Sequence, residues 1–288
     1  MAYACEAEMN PRQTLSTIPT DTIKTARAIL GRENFYLKVG DNWATLLAEV
    51  HCSDSENGGG SQTWMVPTLA VATVLQYKEK LSDRQAEEAS RLRVDWKYAL
   101  HLSMHYPGLS RVMLCKYRQR VYHQPVWQQE FQSILGHFYS QGLIDDCQPA
   151  QMKAVALLDE VCTQTRLEEV MLAQRGALET LATNYPKWLR NIIQPNWYSR
   201  YHLFKARPDL PHTVPEQALM AETIGADIQH LFEAIKRTNL TELGEMEEIK
   251  ALRQTWLEQF ESAEDGTVRL RQKCSFCGSL NTGSETGG

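Results

Sequence analysis

Basic side chains concentrate between Lys78 and Arg120, where ten lysines and arginines stand against five acids in a chain whose net charge is −5. Such side chains can neutralise DNA phosphates and release counterions, which makes affinity fall with salt. Gln85 can read an adenine edge or cap its own helix. Ion pairs between neighbouring helix residues, such as Arg84 with Glu88, are the alternative explanation. The predicted DNA-contacting residues are Lys78, Lys80, Arg84, Gln85, Arg91, Arg93, Lys97, Arg111, Lys116, Arg118 and Arg120.

Two residue pairs have spacings that metal sites use. Cys274 and Cys277 form one Cys-x-x-Cys pair, but zinc usually takes four ligands. We therefore favour a free or redox-active cysteine pair and keep zinc as the alternative. His101 and His105 are four residues apart, yet Pro107 follows closely and no Glu lies between them. We expect structural or solvated histidines there, and we predict no cofactor.

Aromatic and acidic segments in the second half suggest protein contacts. Residues 185–215 interleave five prolines with aromatic residues. If Trp188, Trp197 and Tyr201 are exposed and contiguous, they predict a partner interface; if buried, they pin a coil onto the helices. Residues 239–265 hold eight acids and two bases. A solvated helix face is the usual reason for such a composition, and docking of a basic partner is the alternative.

Several protein classes receive no support from the sequence. A Ser-His-Asp motif, a Walker loop and a GxGxxG motif are all missing, so nothing argues positively for an enzyme. No apolar run reaches the ~18 residues of a membrane helix, and the first residues lack the features of a signal peptide. The seven cysteines do not resemble a secreted disulfide framework. We expect a cytoplasmic protein without membrane contact.

Helical hydrophobic spacing extends over most of the chain, and no alternating strand pattern is present. Capping-box patterns at Ser82 and Thr213 predict helix starts, and the chain from Asp265 onward is expected to fray. The predicted class is all-α and multi-helix, with a helix-turn-helix-like N-terminal part packed with a long-helix C-terminal part. The predicted parts are 1–65 (short helices and a glycine-rich linker), 66–148 (basic helices), 149–262 (a long helix near 152–184 and further helices) and 263–288 (a flexible tail).

One long segment, LQYKEKLSDRQAEEASRLRVDWKYALHLSMHYPGLS at 75–110, resembles the N-terminal half of bacterial insertion-sequence transposases of the DDE class. That half has a leucine-rich helix, an LSDRQAAEA-type helix and an IDWKYALGL-type segment before a PGF turn. The segments IPTDTIKTARAIL, NFYLKVGDNWATLL, YRQRV, TRLEEV and LRQTWLEQFE resemble further parts, so the resemblance covers roughly 19–271. The resemblance implies that this chain contains the parts of a transposase that handle DNA, together with its helical insertion.

The catalytic residues of that family are not matched. Its chemistry needs three carboxylates that hold two divalent ions. Aligning TRLEEV with the family's RLEL-type helix places Lys153 at the first Asp, and neither Asp159 nor Glu160 has the required offset. The other two carboxylates lie well beyond the LRxxWxxQYE-type segment, whereas 27 residues follow Glu261 here. The resemblance therefore implies the DNA-handling part without the active site.

These observations lead to two functional hypotheses. The first is a non-catalytic, transposase-derived protein that binds or associates with DNA through the basic window. The second is an adaptor or regulatory subunit of a protein or ribonucleoprotein complex, for instance a defence system, that does not itself bind DNA. Exposure of the aromatic residues in 185–215 favours the second hypothesis, and their burial weakens it.

Overall fold

A computed structural model describes residues 17–47, 65–144, 153–201, 210–238, 240–263 and 267–271 of the 288-residue chain. The described residues are mostly helical, with two short strands, which confirms the predicted all-α class. The helices are α1 (Thr20–Ile29), α2 (Phe35–Asp41), α3 (Trp43–Leu46), α4 (Val66–Glu79), α5 (Asp83–Leu92), α6 (Val94–Ala99), α7 (Arg111–His123), α8 (Pro125–Ser140), α9 (Ala154–Asn184), α10 (Pro186–Ile192), α11 (Trp197–Tyr201), α12 (Val214–Arg237), α13 (Glu242–Glu245) and α14 (Glu247–Gln259). The strands are β1 (Phe260–Ser262) and β2 (Val268–Leu270).

Both predicted capping boxes are present. At the start of α5, Ser82 Oγ accepts a hydrogen bond from the Gln85 amide at 3.2 Å, and Gln85 Oε1 accepts one from the Ser82 amide at 3.0 Å. Thr213 and Glu216 make the same reciprocal pair at the start of α12. These bonds satisfy amides that a helix leaves unpaired at its first turn, which is why a local sequence pattern locates the helix start.

Two expectations about the second half were wrong. The proline-rich stretch expected to be irregular contains α10, because proline at the first helical position loses an amide that has no partner there anyway. Of the tail expected to fray, residues 268–270 form β2, which pairs antiparallel with β1 in the register Ser262↔Val268. Val268 is buried and packs directly onto Gly225 of α12, where a Cβ would lie 2.5 Å from its Cγ1 atom. This buried contact holds the short strand in place.

The chain forms two compact units, Met1–Val161 and Cys162–Gly288. In the first unit α4 is buried along nearly its whole length. Its core joins Trp43 of the predicted 1–65 part with Leu75, Trp96 and Phe131 of the predicted 66–148 part. The second unit has its own core, which includes Leu178 of α9, Ile228 of α12 and Leu252 of α14.

Helices α2 and α6 approach closely because residue 40 has no side chain. A Cβ on Gly40 would lie 2.7 Å from the Tyr98 ring and 2.9 Å from the Tyr98 carbonyl oxygen. Beside this contact, His101 stacks on Trp43 with ring centroids 4.2 Å apart, and its Nε2 lies 3.0 Å from the Gly40 carbonyl oxygen. Burial lowers the pKa of His101, so its imidazole is a neutral part of the core.

Candidate nucleic-acid interface

Helix α7 combines several basic residues with no acidic one. The Ser110 hydroxyl caps it by accepting a hydrogen bond from the Met113 amide at 3.3 Å. A turn at Gly108 (φ +103°) precedes it, and a Cβ there would contact both Arg91 Cβ and the Glu87 carbonyl oxygen. Glycine permits this backbone conformation and the close approach to α5. The sequence RVMLCKYRQRVYH then alternates buried and exposed positions at helical spacing, so one side of α7 enters the core.

The outward side of α7 carries Lys116 and Arg120, one helical turn apart, with Val112 one turn earlier. We call these three residues the cationic face of α7. The Arg120 guanidinium lies over the Trp127 indole of α8, 5.2 Å from the ring centroid. Lys116, Arg120 and Trp127 also line a shallow cleft whose opposite wall is the start of α4. Within the described residues, neither Lys116 nor Arg120 forms an ion pair with a carboxylate, so their charge is available to an anion.

Further basic residues on this unit are also exposed. Arg111 begins α7 and forms an exposed ion pair with Glu87, with 3.2 Å between Nε and Oε2. Arg91 is exposed on α5, and Lys78 is exposed at the end of α4 with its ammonium 4.5 Å from the Phe35 ring centroid. Exposed ion pairs contribute little to stability, so Arg111 can exchange Glu87 for another anion.

Helix α5, which carries the predicted DNA-contacting residues Arg84, Gln85 and Arg91, is less suited to bind phosphate. Gln85 Oε1 is used by the capping box, which leaves only its amide nitrogen for a base edge. Arg84 is half-buried and has an interaction partner within the protein. Glu87 and Glu88 are partly exposed on the same helix, and their charge repels phosphate. The charge pattern thus favours α7 over α5 as the helix that faces an anion.

Two predicted DNA-contacting residues lie in the interior of the first unit. Arg118 is 1 % exposed and forms a bidentate ion pair with Asp83, in which Nη1 and Oδ1 are 2.8 Å apart. Lys97 is buried and donates a hydrogen bond to the Tyr106 carbonyl oxygen at 2.7 Å. Burial lowers the pKa of Lys97. Their charged groups point to internal partners, so neither side chain can reach a phosphate in this conformation.

Two more of the predicted residues are held by acids. Lys80 pairs with Glu160 of α9. Arg93 pairs with Glu79 and Asp95 and donates a hydrogen bond to the Tyr36 hydroxyl at 3.0 Å. Burial opposes its charge, but the hydrogen bonds to Asp95 and Glu79 outweigh burial and raise the pKa of Arg93. These two bases join elements of the fold and are poorly placed for an external anion.

The three aromatic residues predicted to form a partner interface, Trp188, Trp197 and Tyr201, are not all exposed as that prediction requires. Trp197 is 1 % exposed and Tyr201 is also buried, with the Tyr201 hydroxyl donating to Asp227 at 2.7 Å. Trp188 is half-buried. Trp197 and Tyr201 belong to the core of the second unit because the helices around them close over the two rings. These rings are therefore not the exposed and contiguous surface that an aromatic partner interface requires.

The candidate metal ligands give no site in the part of the chain that the structure describes. Cys274 and Cys277 lie outside the described residues. His101 is buried in the core and His105 is exposed. Among the residues described, no group of three or more His, Cys, Asp and Glu side chains could hold a metal ion. Within the same residues, no helix is both long and apolar enough to cross a membrane.

Sequence reasoning gave no role to some residues that define the interface. The sequence pattern predicts no function for Trp127, although its place just after Pro125 could have suggested contact with α7. Asp83 and Glu160 were not recognised as internal counterions, because they lie 35 and 80 positions from Arg118 and Lys80. No local pattern reveals pairs at such distances.

Comparison with known proteins relates part of the first unit to transposases. Residues 33–120 match the transposase domain family DUF772, which covers under a third of the chain. The matched segment includes α2–α6 and most of α7, with Lys116 and Arg120 inside it. No curated protein and no solved structure matches the chain. The chain is therefore transposase-related through this segment.

Proposed function

We propose that this transposase-related chain binds DNA through the cationic face of α7 and does not itself cut or join strands. The observation that carries the proposal is the pair of exposed bases, Lys116 and Arg120, on a helix without an acidic residue. The remainder of the chain outside the basic window is acidic, so this surface is a local exception. A local positive patch of this kind attracts the DNA backbone whatever the base sequence.

The contacts around Lys116 and Arg120 suit phosphate binding. Arg120 is stacked on Trp127, which limits the conformations of its long side chain and so lowers the entropy lost on binding. Arg111 can add a third contact by exchanging its exposed pair with Glu87. The buried bases Lys97 and Arg118 support the proposal indirectly, because Lys97 binds the Tyr106 carbonyl oxygen, ahead of α7, and Arg118 pairs with Asp83 and so joins α7 to α5.

Reversing both charges on the cationic face is expected to weaken DNA binding. We expect Lys116→Glu with Arg120→Glu to reduce the affinity for a short mixed-sequence duplex by about tenfold or more at low salt. The slope of log affinity against log salt should fall by ~2, since each lost phosphate contact removes ~0.9 from it. Fluorescence anisotropy with a labelled duplex, titrated over several salt concentrations, measures both quantities.

The matched control is Lys24→Glu with Arg32→Glu, which makes the same change in net charge at exposed positions of the same unit. We expect this control to change the affinity much less than the α7 variant does. Equal losses from the two double variants would show that only net charge matters and would contradict a site on α7. Absence of binding by the unaltered protein at low salt would overturn the proposal altogether.

The non-catalytic part of the proposal rests on Lys153. The family resemblance places the first catalytic carboxylate in a strand at this position, whereas Lys153 is exposed and directly precedes α9, where its carbonyl oxygen accepts from the Leu157 amide. A lysine ammonium repels the divalent ions that strand transfer uses.

Incubation with DNA and Mg²⁺ is therefore expected to leave the strands intact. Duplex and single-stranded DNA, analysed on denaturing gels with and without chelator, provide the measurement. Chelator-sensitive cleavage that disappears in the Asp159→Asn or Glu160→Gln variant would contradict this part of the proposal, since it would identify a catalytic carboxylate near α9.

A further inference from the structure

The second unit contains an open cavity of about 430 Å³ between α10 and α12. Its size lies in the range that small organic ligands occupy in proteins. Trp188 and Ile192 of α10 and Ile193 form one side, and His230 and Ala234 of α12 form the other. The cavity shares no residue with the cationic face of α7, so a ligand can bind here whether or not DNA binds to that face.

The half-buried indole of Trp188 is a flat apolar ring among the residues that line this cavity. Trp188 packs against the core of the second unit with part of its surface and exposes the rest to the cavity. Flat heterocycles stack well on such a ring, and nucleobases do so whatever their sequence. The aliphatic side chains of Ile192 and Ile193 extend the apolar surface beside it.

Amide side chains lie at the rim of the same cavity. Asn191 and Gln194 both line it and both are exposed. Carboxamide groups offer a donor and an acceptor side by side, the arrangement that pairs with N6 and N7 of adenine. His230 Nε2 lies 3.2 Å from the Ile192 carbonyl oxygen and 3.3 Å from Gln194 Nε2. One ring nitrogen makes only one of these hydrogen bonds at a time, so the Gln194 carboxamide is available to a ligand when His230 donates to Ile192.

Cations at the cavity edge suit an anionic group. Arg237 lines the cavity with a side chain that is 78 % exposed, and its pair with Glu233 is an exposed one that a phosphate can replace. Lys187 is exposed one turn before Asn191 on α10, so both lie on one face of that helix. Lys236 and Arg237 offset the negative end of the α12 dipole.

We propose that this cavity binds an adenine nucleotide, with the base against Trp188, its edge at Asn191 and Gln194, and its phosphate at Arg237. A planar apolar wall, a paired donor and acceptor, and a cation are the three features that a nucleotide requires together. The nucleotide can be free, or it can be an unpaired residue of single-stranded DNA, since both present the same base and phosphate.

Titration calorimetry with dAMP and with an oligo(dA) strand tests the site on the full chain. We expect saturable binding of at least one of the two probes, weakened about 5- to 150-fold by Trp188→Ala, the range for loss of one base-stacking contact. Tyr198→Ala, which removes an exposed aromatic ring of the same unit outside the cavity, is the matched control and should leave binding unchanged.

A second variant avoids the half-buried ring. Asn191→Leu alters one exposed position, and we expect it to reduce the preference for dAMP over dTMP while the protein keeps its unfolding temperature. Binding of dAMP identifies a free nucleotide as ligand, and Trp188-dependent binding of oligo(dA) alone identifies an unpaired base.

Three results would overturn the inference. One is that neither probe binds at millimolar concentration, and another is that binding is indifferent to both cavity variants. The third is that dAMP does not bind and that oligo(dA) binding is lost with Lys116→Glu and Arg120→Glu but not with Trp188→Ala, which would place the strand on α7. This last result would leave the proposed function standing, so the two proposals can fail separately.

Discussion

Replacing Trp197 with alanine is expected to lower the free energy of unfolding by about 3–5 kcal/mol, the usual cost of truncating a buried tryptophan. The indole is 1 % exposed and makes edge-to-face contacts with Tyr201 and His230, at centroid separations of 6.3 and 5.8 Å. Truncation removes these contacts and leaves a cavity that the surrounding helices fill only in part. Urea unfolding of the full chain, followed by far-ultraviolet circular dichroism, measures the change.

The neighbouring residue provides a control for Trp197. Tyr198 is 59 % exposed on the same short helix, and Tyr198→Ala should alter the free energy of unfolding by less than ~0.5 kcal/mol. If Trp197→Ala unfolds at the same urea concentration as the unaltered protein, the ring is not part of the core. A surface role for Trp197, as the adaptor hypothesis required, would then regain its basis.

Replacing Arg118 with methionine is expected to lower the free energy of unfolding by about 3–5 kcal/mol, because the change leaves a buried charge without its partner. The Asp83 carboxylate is 1 % exposed, and Gln76 Nε2 also donates to it at 2.9 Å. A neutral amide compensates less well than a guanidinium for the desolvation of a carboxylate. Methionine has a similar volume, so the loss reports the charge more than the packing.

Two further variants separate this ion pair from other effects. Asp83→Asn combined with Arg118→Met removes both charges and should recover most of the lost stability. Lys116→Met, at an exposed position of the same helix, should leave stability unchanged within ~0.5 kcal/mol. An Arg118→Met protein as stable as the unaltered one would contradict a buried pair and would return Arg118 to the candidates for DNA contact.

Arg118 and Lys116 therefore differ in which property they affect, although they lie two residues apart on α7. Loss of Arg118 should reduce stability, and loss of Lys116 should reduce affinity for DNA. The difference follows from the helical repeat, because positions two apart point to nearly opposite sides. Measuring the unfolding and the DNA binding of these two variants tests both the buried side of α7 and the proposed interface on its exposed side.

The sequence alone determined the helical class, two helix starts, the long helix and the basic window in which the proposed interface lies. These depend on local properties, since hydrophobic spacing, capping boxes and charge along the chain are set by residues a few positions apart. The capping boxes at Ser82 and Thr213 and the long helix near 152–184 were predicted in this way and are confirmed.

Only the tertiary structure decided which basic and aromatic side chains are available to a partner. Arg118 meets Asp83 across 35 positions, and Trp197 meets His230 across a comparable stretch, so no local pattern distinguishes these residues from exposed ones. Strand β2 also forms through distant contacts, because Val268 packs onto Gly225. The burial of a side chain depends on which helices and strands pack together, and this packing is determined by the contacts of the whole core.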